Sequence, residues 1–478
     1  MPHACSATVA ATLAVTALPE DALLDKYSKA GPRYTSYPTA DRFVEAYGAA
    51  DYQQALALRQ QLRSSQQALS LYVHIPYCQS LCHYCACNKI ITKDRRRAAP
   101  YIELLKQEAN LHAAALGGRK PSVSQLHMGG GTPTFCSDAQ LADLWRHLRT
   151  LFEFAPSGAN GEYAIEIDPR TVSPLRLQNL RDMGFNRLSL GVQDFDPAVQ
   201  QAVHREQSYE SVAELMVSAR ELGFASVNMD LIYGLPQQST ASLARTLEQV
   251  IALRPERIAL YAYAHLPQRF KPQRRIADQQ LPSAADKLAM FKLALQTLQA
   301  AGYDYIGMDH FALPHDALAV AKRQGRLQRN FQGYSAQPDG DLIALGLSAI
   351  GKVGTHYSQN AKTLEEYQDL LELGQIPIVR GLVLSRDDAM RRCLIMAIMC
   401  QGEVLFESVN LAWLCNFERD FAPELEQLRT LAADGLLQLR PDGFSLTPTG
   451  WLLVRAVAMV FDKALQQDLQ RTRYSQII

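Results

Sequence analysis

The sequence predicts an α/β protein: a partial or full (β/α) barrel of parallel strands, with an N-terminal arm and a mostly helical C-terminal domain. Three observations predict it. From about residue 69, short apolar and often β-branched runs alternate with stretches of helical periodicity, the signature of parallel strands joined by crossovers. Six or seven such units follow one another, which suits a barrel better than a short open sheet. After about residue 360 the strand signal fades and helical periodicity takes over.

Taken in order, residues 1–19 read as an extension without fixed order. They are apolar and Ala-rich, but no Lys or Arg precedes the apolar run, so the charged start of a secretory signal is missing. Residues 20–67 hold a helical stretch, PEDALLDKYSKAG, then GPRYTSYPTADRF, whose prolines, glycine and tyrosines indicate an ordered, extended arm. A second helix is expected over 52–67.

The barrel is expected over 68–360. Its strands are predicted at 70–75, 123–128, 163–168, 187–192, 226–232 and 257–263, with a seventh at 303–308. Helical pattern fills the gaps, for instance at 100–116 and 208–224. Function in such a fold belongs at the C-terminal ends of the strands. Residues 361–478 form the C-terminal domain. Helices are predicted at 363–373, 386–402 and 407–434, then a hairpin turned at Pro441-Asp442-Gly443 and a helix from near Thr449. That order is similar to a winged-helix module, but a packing or lid role fits a neutral chain better than DNA binding.

Composition narrows the function. Lys plus Arg number 48 and Asp plus Glu 48, so the formal charge is zero. Bulk attraction to nucleic acid or to an acidic membrane is excluded. No run of about 18 apolar residues exists to cross a bilayer. Zero net charge fits a small-molecule enzyme. Nine cysteines are too few and too uneven for a disulfide scaffold. Cys5, Cys136, Cys393, Cys400 and Cys415 are scattered and read as bland buried thiols. The remaining four, Cys78, Cys82, Cys85 and Cys87, lie in one short loop after the first strand, pointing to a reducing, cytoplasmic setting and one thiolate site.

Cys78, Cys82 and Cys85 form a C-x3-C-x2-C pattern. A 4Fe-4S cluster can take one thiolate on each of three irons and leave the fourth open to a chelating ligand. Zinc, completed by Cys87 or His83, is the alternative, but ligands this close in sequence give poor tetrahedral geometry. The run HMGGGTPT at 127–134 follows the second strand, and its glycines let backbone come close to a ligand. Glu166, Gln193, Arg205 and Asp230 lie at or just after later strands. Singly each could be an ion pair or a cap; on successive units they suggest one shared cofactor site.

These motifs resemble the radical S-adenosylmethionine enzymes, and Tyr84 fits the aromatic that usually precedes their third cysteine. That resemblance implies that the open iron chelates the methionine moiety of S-adenosylmethionine, and that reduction releases a 5′-deoxyadenosyl radical. A finer likeness rests on GPRYTSYPTA, YVHIPYCQSLCHYCACNK, HMGGGTPT, GVQDF, DLIYGLPQQ, YAHLP, GMDHFA and RNFQGY. Together they resemble the oxygen-independent coproporphyrinogen III oxidase family from about residue 20 to the C-terminus.

The resemblance implies oxidative decarboxylation of two propionates of coproporphyrinogen III to vinyl groups, with two S-adenosylmethionine molecules bound. It makes Cys78, Cys82 and Cys85 the cluster ligands. Tyr72, Gly130, Glu166 and Ile350 would contact the first S-adenosylmethionine. Tyr84, Gly131, Thr132, Gln193, Arg205, Asp230 and Ala264 would contact the second. Cys87, His74, Phe331 and Gln332 would stand near the reacting substrate, with Arg33 of the arm as a candidate for its carboxylates. Cys87 would stay off the cluster. A related haem-trafficking chaperone is the competing reading, disfavoured by Cys87 and by the GPRYTSYPTA arm. An electron donor and an electron acceptor are required partners that the sequence leaves unidentified, and the chain is expected to be a monomer.

Overall fold

A computed structural model describes residues 19–27, 29–61, 67–117, 120–156 and 161–466. The extension expected over 1–19 therefore lies almost wholly outside the described residues, as do residues 62–66 at the end of the second helix of the arm. All six first-listed barrel strands form where expected: β1 (Leu69–Ile75), β2 (Ser122–Gly130), β3 (Glu162–Ile167), β4 (Arg187–Gln193), β5 (Ser226–Tyr233) and β6 (Arg257–Ala262). They are followed by β7 (Asp304–Gly307), β8 (His310–Ala312), β9 (Leu342–Leu345), β10 (Ile350–Val353), β11 (His356–Asn360) and β12 (Ile378–Val383).

The sheet runs β7-β8-β6-β5-β4-β3-β2-β1-β9-β10-β11-β12. Its middle, from β6 through β1 to β9, is parallel throughout. The path has two ends, so of the two forms expected the partial barrel is the one observed. Two details differ from the sequence reading. The strand at 303–308 is present but does not add to the parallel set; it folds back through β8, which pairs antiparallel with β6. The parallel neighbour of β1 on its other side is β9, a four-residue LIAL run too short to stand out beside the longer strands. Beyond the boundary expected at 360, β12 still continues the sheet beside β11, with the helix Leu364–Glu372 between the two strands in sequence.

Helices cover the outer face. Ala98–Ala115 and Tyr209–Glu221 fall on the two helical stretches singled out in the sequence. Asp138–Leu151 is entered through a capping box of Ser137 and Gln140, which satisfies donors that a helix start leaves open. Helix Ala98–Ala115 also buries Glu108 completely. Its carboxylate accepts hydrogen bonds from the Gly346 N–H at 2.7 Å, Asn360 Nδ2 at 2.6 Å and the Tyr367 hydroxyl. One acid thus joins the end of β9, β11 and the helix Leu364–Glu372. Glu108→Ala leaves these donors unpaired in the core and is expected to cost about 3 kcal/mol or more. A denaturant-unfolding midpoint close to that of the unaltered protein would refute this.

The arm is part of the core. Tyr34 and Tyr37 are each 1 % exposed. The Tyr34 hydroxyl donates to Asp462 at 3.0 Å, Arg455 donates to the Gly31 carbonyl at 3.0 Å, and Val44 bridges to Gly381 of β12. With this packing, removal of the arm would strip the core, so point substitution rather than deletion tests its role.

In the C-terminal unit, Leu437–Arg440 and Gly443–Leu446 form the expected hairpin, and Glu403–Leu405 adds a third strand. Arg391 pairs with Glu424, and Arg440 with Glu403. These arginines are engaged within the unit, as a packing role requires. Among the described residues, no helix is long and apolar enough to cross a membrane.

Candidate active site

Parallel strands buried on both faces are normally continuous apolar runs. Here the inward-facing positions are polar at alternate residues: Gln125 and His127 on β2, Glu162 and Glu166 on β3, Arg187 and Ser189 on β4, Asn228 and Asp230 on β5. All eight line one cavity of about 600 Å³ inside the curved sheet. Its open end holds the cysteine loop.

The loop is folded back on itself and onto the glycine run. Ile90 N–H donates to the Pro76 carbonyl at 2.7 Å and Thr92 N–H to the Cys78 carbonyl at 2.9 Å. Gly131 N–H donates to Ile75 at 2.8 Å, and Thr132 N–H to Tyr77 at 2.9 Å. The Thr132 hydroxyl lies 3.4 Å from the Cys78 sulfur. Cysteines and glycines, two separate motifs in the sequence, are thus one hydrogen-bonded unit. Two of the glycines are required by geometry. Gly130 has φ +114°, and a Cβ on Gly131 would lie 2.6 Å from the Pro76 carbonyl oxygen.

Cys78, Cys82, Cys85 and Cys87 all face the cavity. Arg205 Nη1 donates to the Cys82 sulfur at 3.4 Å, with Arg170 Nη2 at 3.8 Å. Both guanidiniums are held by Asp168. A hydrogen bond from Cys87, with Lys89 nearby, brings the Cys85 thiol down to about 6, so it ionises readily. Burial pushes Cys78 up to about 11. Among the described residues, no three Cys, His, Asp or Glu side chains converge on a single-ion site. Three thiols spread around one loop suit a larger group that takes one thiolate per iron better than a tetrahedral zinc. The donor set therefore fits a 4Fe-4S cluster on Cys78, Cys82 and Cys85.

Glu166 faces the glycines. It accepts from the Gly130 N–H at 3.0 Å and from His127 Nε2 at 3.1 Å. Burial raises its pKa, but the His127 hydrogen bond and charge outweigh burial, and the carboxyl ends below its usual value. Asp230 accepts from Ser189 at 2.9 Å and from Asn228 at 2.8 Å. Burial, followed by the repulsion of Glu166, brings it up to about 6. Gln193 sits at φ +71° where the register of β4 and β5 shifts, a conformation of the kind that gathers at functional sites.

The cavity wall includes thirteen of the residues singled out in the sequence: Cys78, Cys82, Tyr84, Cys85, Cys87, Gly130, Gly131, Thr132, Glu166, Gln193, Arg205, Asp230 and Gln332. Tyr72, His74, Ala264, Ile350 and Phe331 do not line it. Tyr72 and His74 lie behind the wall, joined at 3.1 Å, with Tyr72 stacked on His127 at 6.0 Å. Ala264 is tied to the cysteine loop by Gln273, which donates to both the Ala264 and Tyr84 carbonyls. Ile350 is the first residue of β10, opposite Gln359. Phe331 lines a small adjoining cavity, edge-on to Tyr357. His127, Asp168 and Arg170 escaped the sequence reading as site residues, although His127 and Asp168 stand within or beside its motifs.

Partial barrel, thiol loop and glycine cradle together define the radical S-adenosylmethionine class of enzyme. Residues 72–250 match the family model described as the Radical SAM superfamily, and residues 384–453 the HemN C-terminal domain. The chain is 49% identical to the oxygen-independent coproporphyrinogen III oxidase of Pseudomonas aeruginosa, over 95% of this chain and 98% of that protein. It is 45% identical to the Escherichia coli K12 protein of the same name, over 96% and 98%. The solved structure of coproporphyrinogen III oxidase (HemN) from E. coli, described as a radical SAM enzyme, superposes with a TM-score of 0.87 over 94% of this chain and all of that one. The chain belongs to the oxygen-independent coproporphyrinogen III oxidase family.

Proposed function

We propose that this chain converts coproporphyrinogen III to protoporphyrinogen IX in haem biosynthesis, turning two propionate side chains into vinyl groups without oxygen. The observation that carries the reading is the meeting of Cys78, Cys82 and Cys85 with Gly130, Gly131 and Glu166 at the open end of a cavity large enough for small-molecule ligands. A 4Fe-4S cluster held by Cys78, Cys82 and Cys85 would supply the one-electron reduction of S-adenosylmethionine that makes hydrogen abstraction from a propionate possible. Each conversion takes one hydrogen atom, one CO2 and one electron from a propionate carboxylate to leave a vinyl group; the hydrogen atom passes to the 5′-deoxyadenosyl group and the electron to an acceptor.

The residues here divide that work. Cys78, Cys82 and Cys85 hold the cluster, and Arg205 and Arg170 lower the cost of charge on Cys82. Glu166, Gly130, Tyr72 and Ile350 are assigned to a first S-adenosylmethionine. Glu166 brings a fixed negative charge to an ammonium, and Tyr72 acts through His127, on which it stacks. Tyr84, Gly131, Thr132, Gln193, Arg205, Asp230 and Ala264 are assigned to a second. His74, Cys87, Phe331 and Gln332 are assigned to the substrate end, His74 and Phe331 from behind the cavity wall. The test is anaerobic: reconstituted protein, reductant, S-adenosylmethionine and coproporphyrinogen III. Protoporphyrinogen formation supports the reading. Its absence, with tight haem binding instead, would overturn it in favour of a haem-trafficking chaperone.

Asp230 gives a pH signature. Its pKa of about 6 lies above the ordinary carboxyl value, so the carboxylate that accepts ligand hydroxyls is present above pH 6 and lost as pH falls through it. S-adenosylmethionine affinity is expected to weaken from pH 7 to 5, and Asp230→Asn to be weaker at pH 7 but flat over that range. Equal slopes for the two proteins would refute the assignment.

A further inference from the structure

At its inner end the cavity is floored by a continuous polar chain. Ser70 donates to Gln125 at 3.1 Å, Gln125 to Glu162 at 3.3 Å, and Arg187 pairs with Glu162 and donates to Ser226 at 3.3 Å. Ser226 donates to Asp316 at 2.9 Å, and Asp316 accepts from Arg257 Nε at 2.7 Å. Within this floor acids and bases balance. Beside it they do not.

His310 stands edge-on to two cavity-lining tyrosines, Tyr261 at 5.9 Å and Tyr334 at 5.3 Å. The Arg33 guanidinium lies 5.2 Å over the Tyr261 ring, and that of Arg329 4.6 Å over the Tyr334 ring. Arg33 is paired with Asp309. Arg329 is 3 % exposed, and among the described residues it has no carboxylate partner. Its Nε donates to the Arg33 carbonyl at 3.2 Å, and its Nη1 has no partner. Arg257 Nη2 and His310 Nδ1 are likewise buried without one among the described residues. Buried guanidinium N–H groups are costly to leave unpaired, and a planar carboxylate is the group that matches their geometry.

We propose that Arg257 and His310 on the cavity wall, with Arg329 from the adjoining small cavity behind Tyr334, form an anchor for a propionate carboxylate of the substrate. The inference rests on the function proposed above and adds what holds the substrate at the end remote from the thiols. Arg257 opens β6, and at about 3.3 Å per residue that strand spans roughly 16 Å to Ala262. A ligand pinned by one carboxylate at the floor can therefore reach up the barrel toward the cysteine loop. Arg33, the arm residue expected to meet the carboxylates, serves this corner from behind: its carbonyl orients Arg329 and its charge is taken by Asp309.

Arg329 is the residue to change, because no acid is stranded by its loss. Binding of coproporphyrin III, a stable tetracarboxylate, and of its tetramethyl ester is measured by anaerobic fluorescence titration on the reconstituted holoenzyme. The unaltered protein is expected to prefer the acid by roughly tenfold or more, and Arg329→Met to lose roughly 10–100-fold in affinity for the acid. The variant should show a matching rise in KM for coproporphyrinogen III, with Arg329→Lys between the two. Ester and acid binding equally well to the unaltered protein would overturn the anchor, and this comparison holds even where a variant folds poorly. So would a folded Arg329→Met with unchanged affinity and KM. Failure of the unaltered enzyme to turn over coproporphyrinogen III would instead count against the function, separately from the acid-over-ester preference.

Discussion

Cys82→Ser is expected to abolish turnover while leaving the chain folded. The Cys82 side chain is 8 % exposed and receives Arg205 at 3.4 Å. A serine hydroxyl can accept the same hydrogen bond, so the apoprotein is expected to keep its stability within about 1 kcal/mol. Serine cannot supply a thiolate, which is what such clusters are held by. Iron retained after reconstitution and desalting should fall by at least roughly 10–100-fold, the range that loss of even a supporting partner can cost a metal site. Product formation should fall with it. Cys87→Ser is the informative companion. Cys87 lines the same cavity but lies outside the C-x3-C-x2-C set, and its hydrogen bond goes to Cys85. That variant should keep its iron. Iron lost from Cys87→Ser and kept by Cys82→Ser would reverse the ligand assignment.

Much of the site was legible because its chemistry is concentrated in short runs. Cys78 to Cys87 and His127 to Thr134 each announce a loop built around a ligand, and β1 to β6 appeared as apolar runs spaced by helical pattern. The inner end was not legible for a physical reason. Arg257, Asp316, His310 and Arg329 come from β6, a helix cap, β8 and the short strand Gln328–Asn330. Each alone reads as a strand end or a cap, and only the path of the sheet brings them together. The strands themselves carry one further signal. Polar residues fall on alternate positions within the parallel strands, as Glu162 and Glu166 do on β3 and Arg187 and Ser189 on β4, where a packed barrel would be apolar. That alternation marks an interior built to be wet. Ile350 and Phe331 carried no such signal, and neither lies on the cavity wall.

Gly130→Ala separates the glycine cradle from the thiol loop. Gly130 holds φ +114°, and an added Cβ would lie 2.5 Å from the His74 ring. His74 cannot step aside easily, because Tyr72 and the Asn88 carbonyl hold its two nitrogens at 3.1 and 3.0 Å. Relief must come from the backbone, which carries the Gly130 N–H away from Glu166 and unseats the carboxylate. The cysteine loop keeps closing bonds that do not pass through the glycines, from Ile90 N–H to the Pro76 carbonyl and from Thr92 N–H to the Cys78 carbonyl, so it is expected to hold its shape. Gly130→Ala is therefore expected to retain iron but to lose roughly 100-fold in reductive cleavage of S-adenosylmethionine, the scale of an ångström-sized misplacement in an active site. Release of 5′-deoxyadenosine measures it. Glu166→Gln tests the same contact without strain: it keeps the shape and removes the charge, so its loss should appear mainly as weaker S-adenosylmethionine binding. If Gly130→Ala binds and cleaves S-adenosylmethionine as the unaltered enzyme does, the cradle does not seat that ligand. The glycines would then serve only to pack the second strand against the cysteine loop.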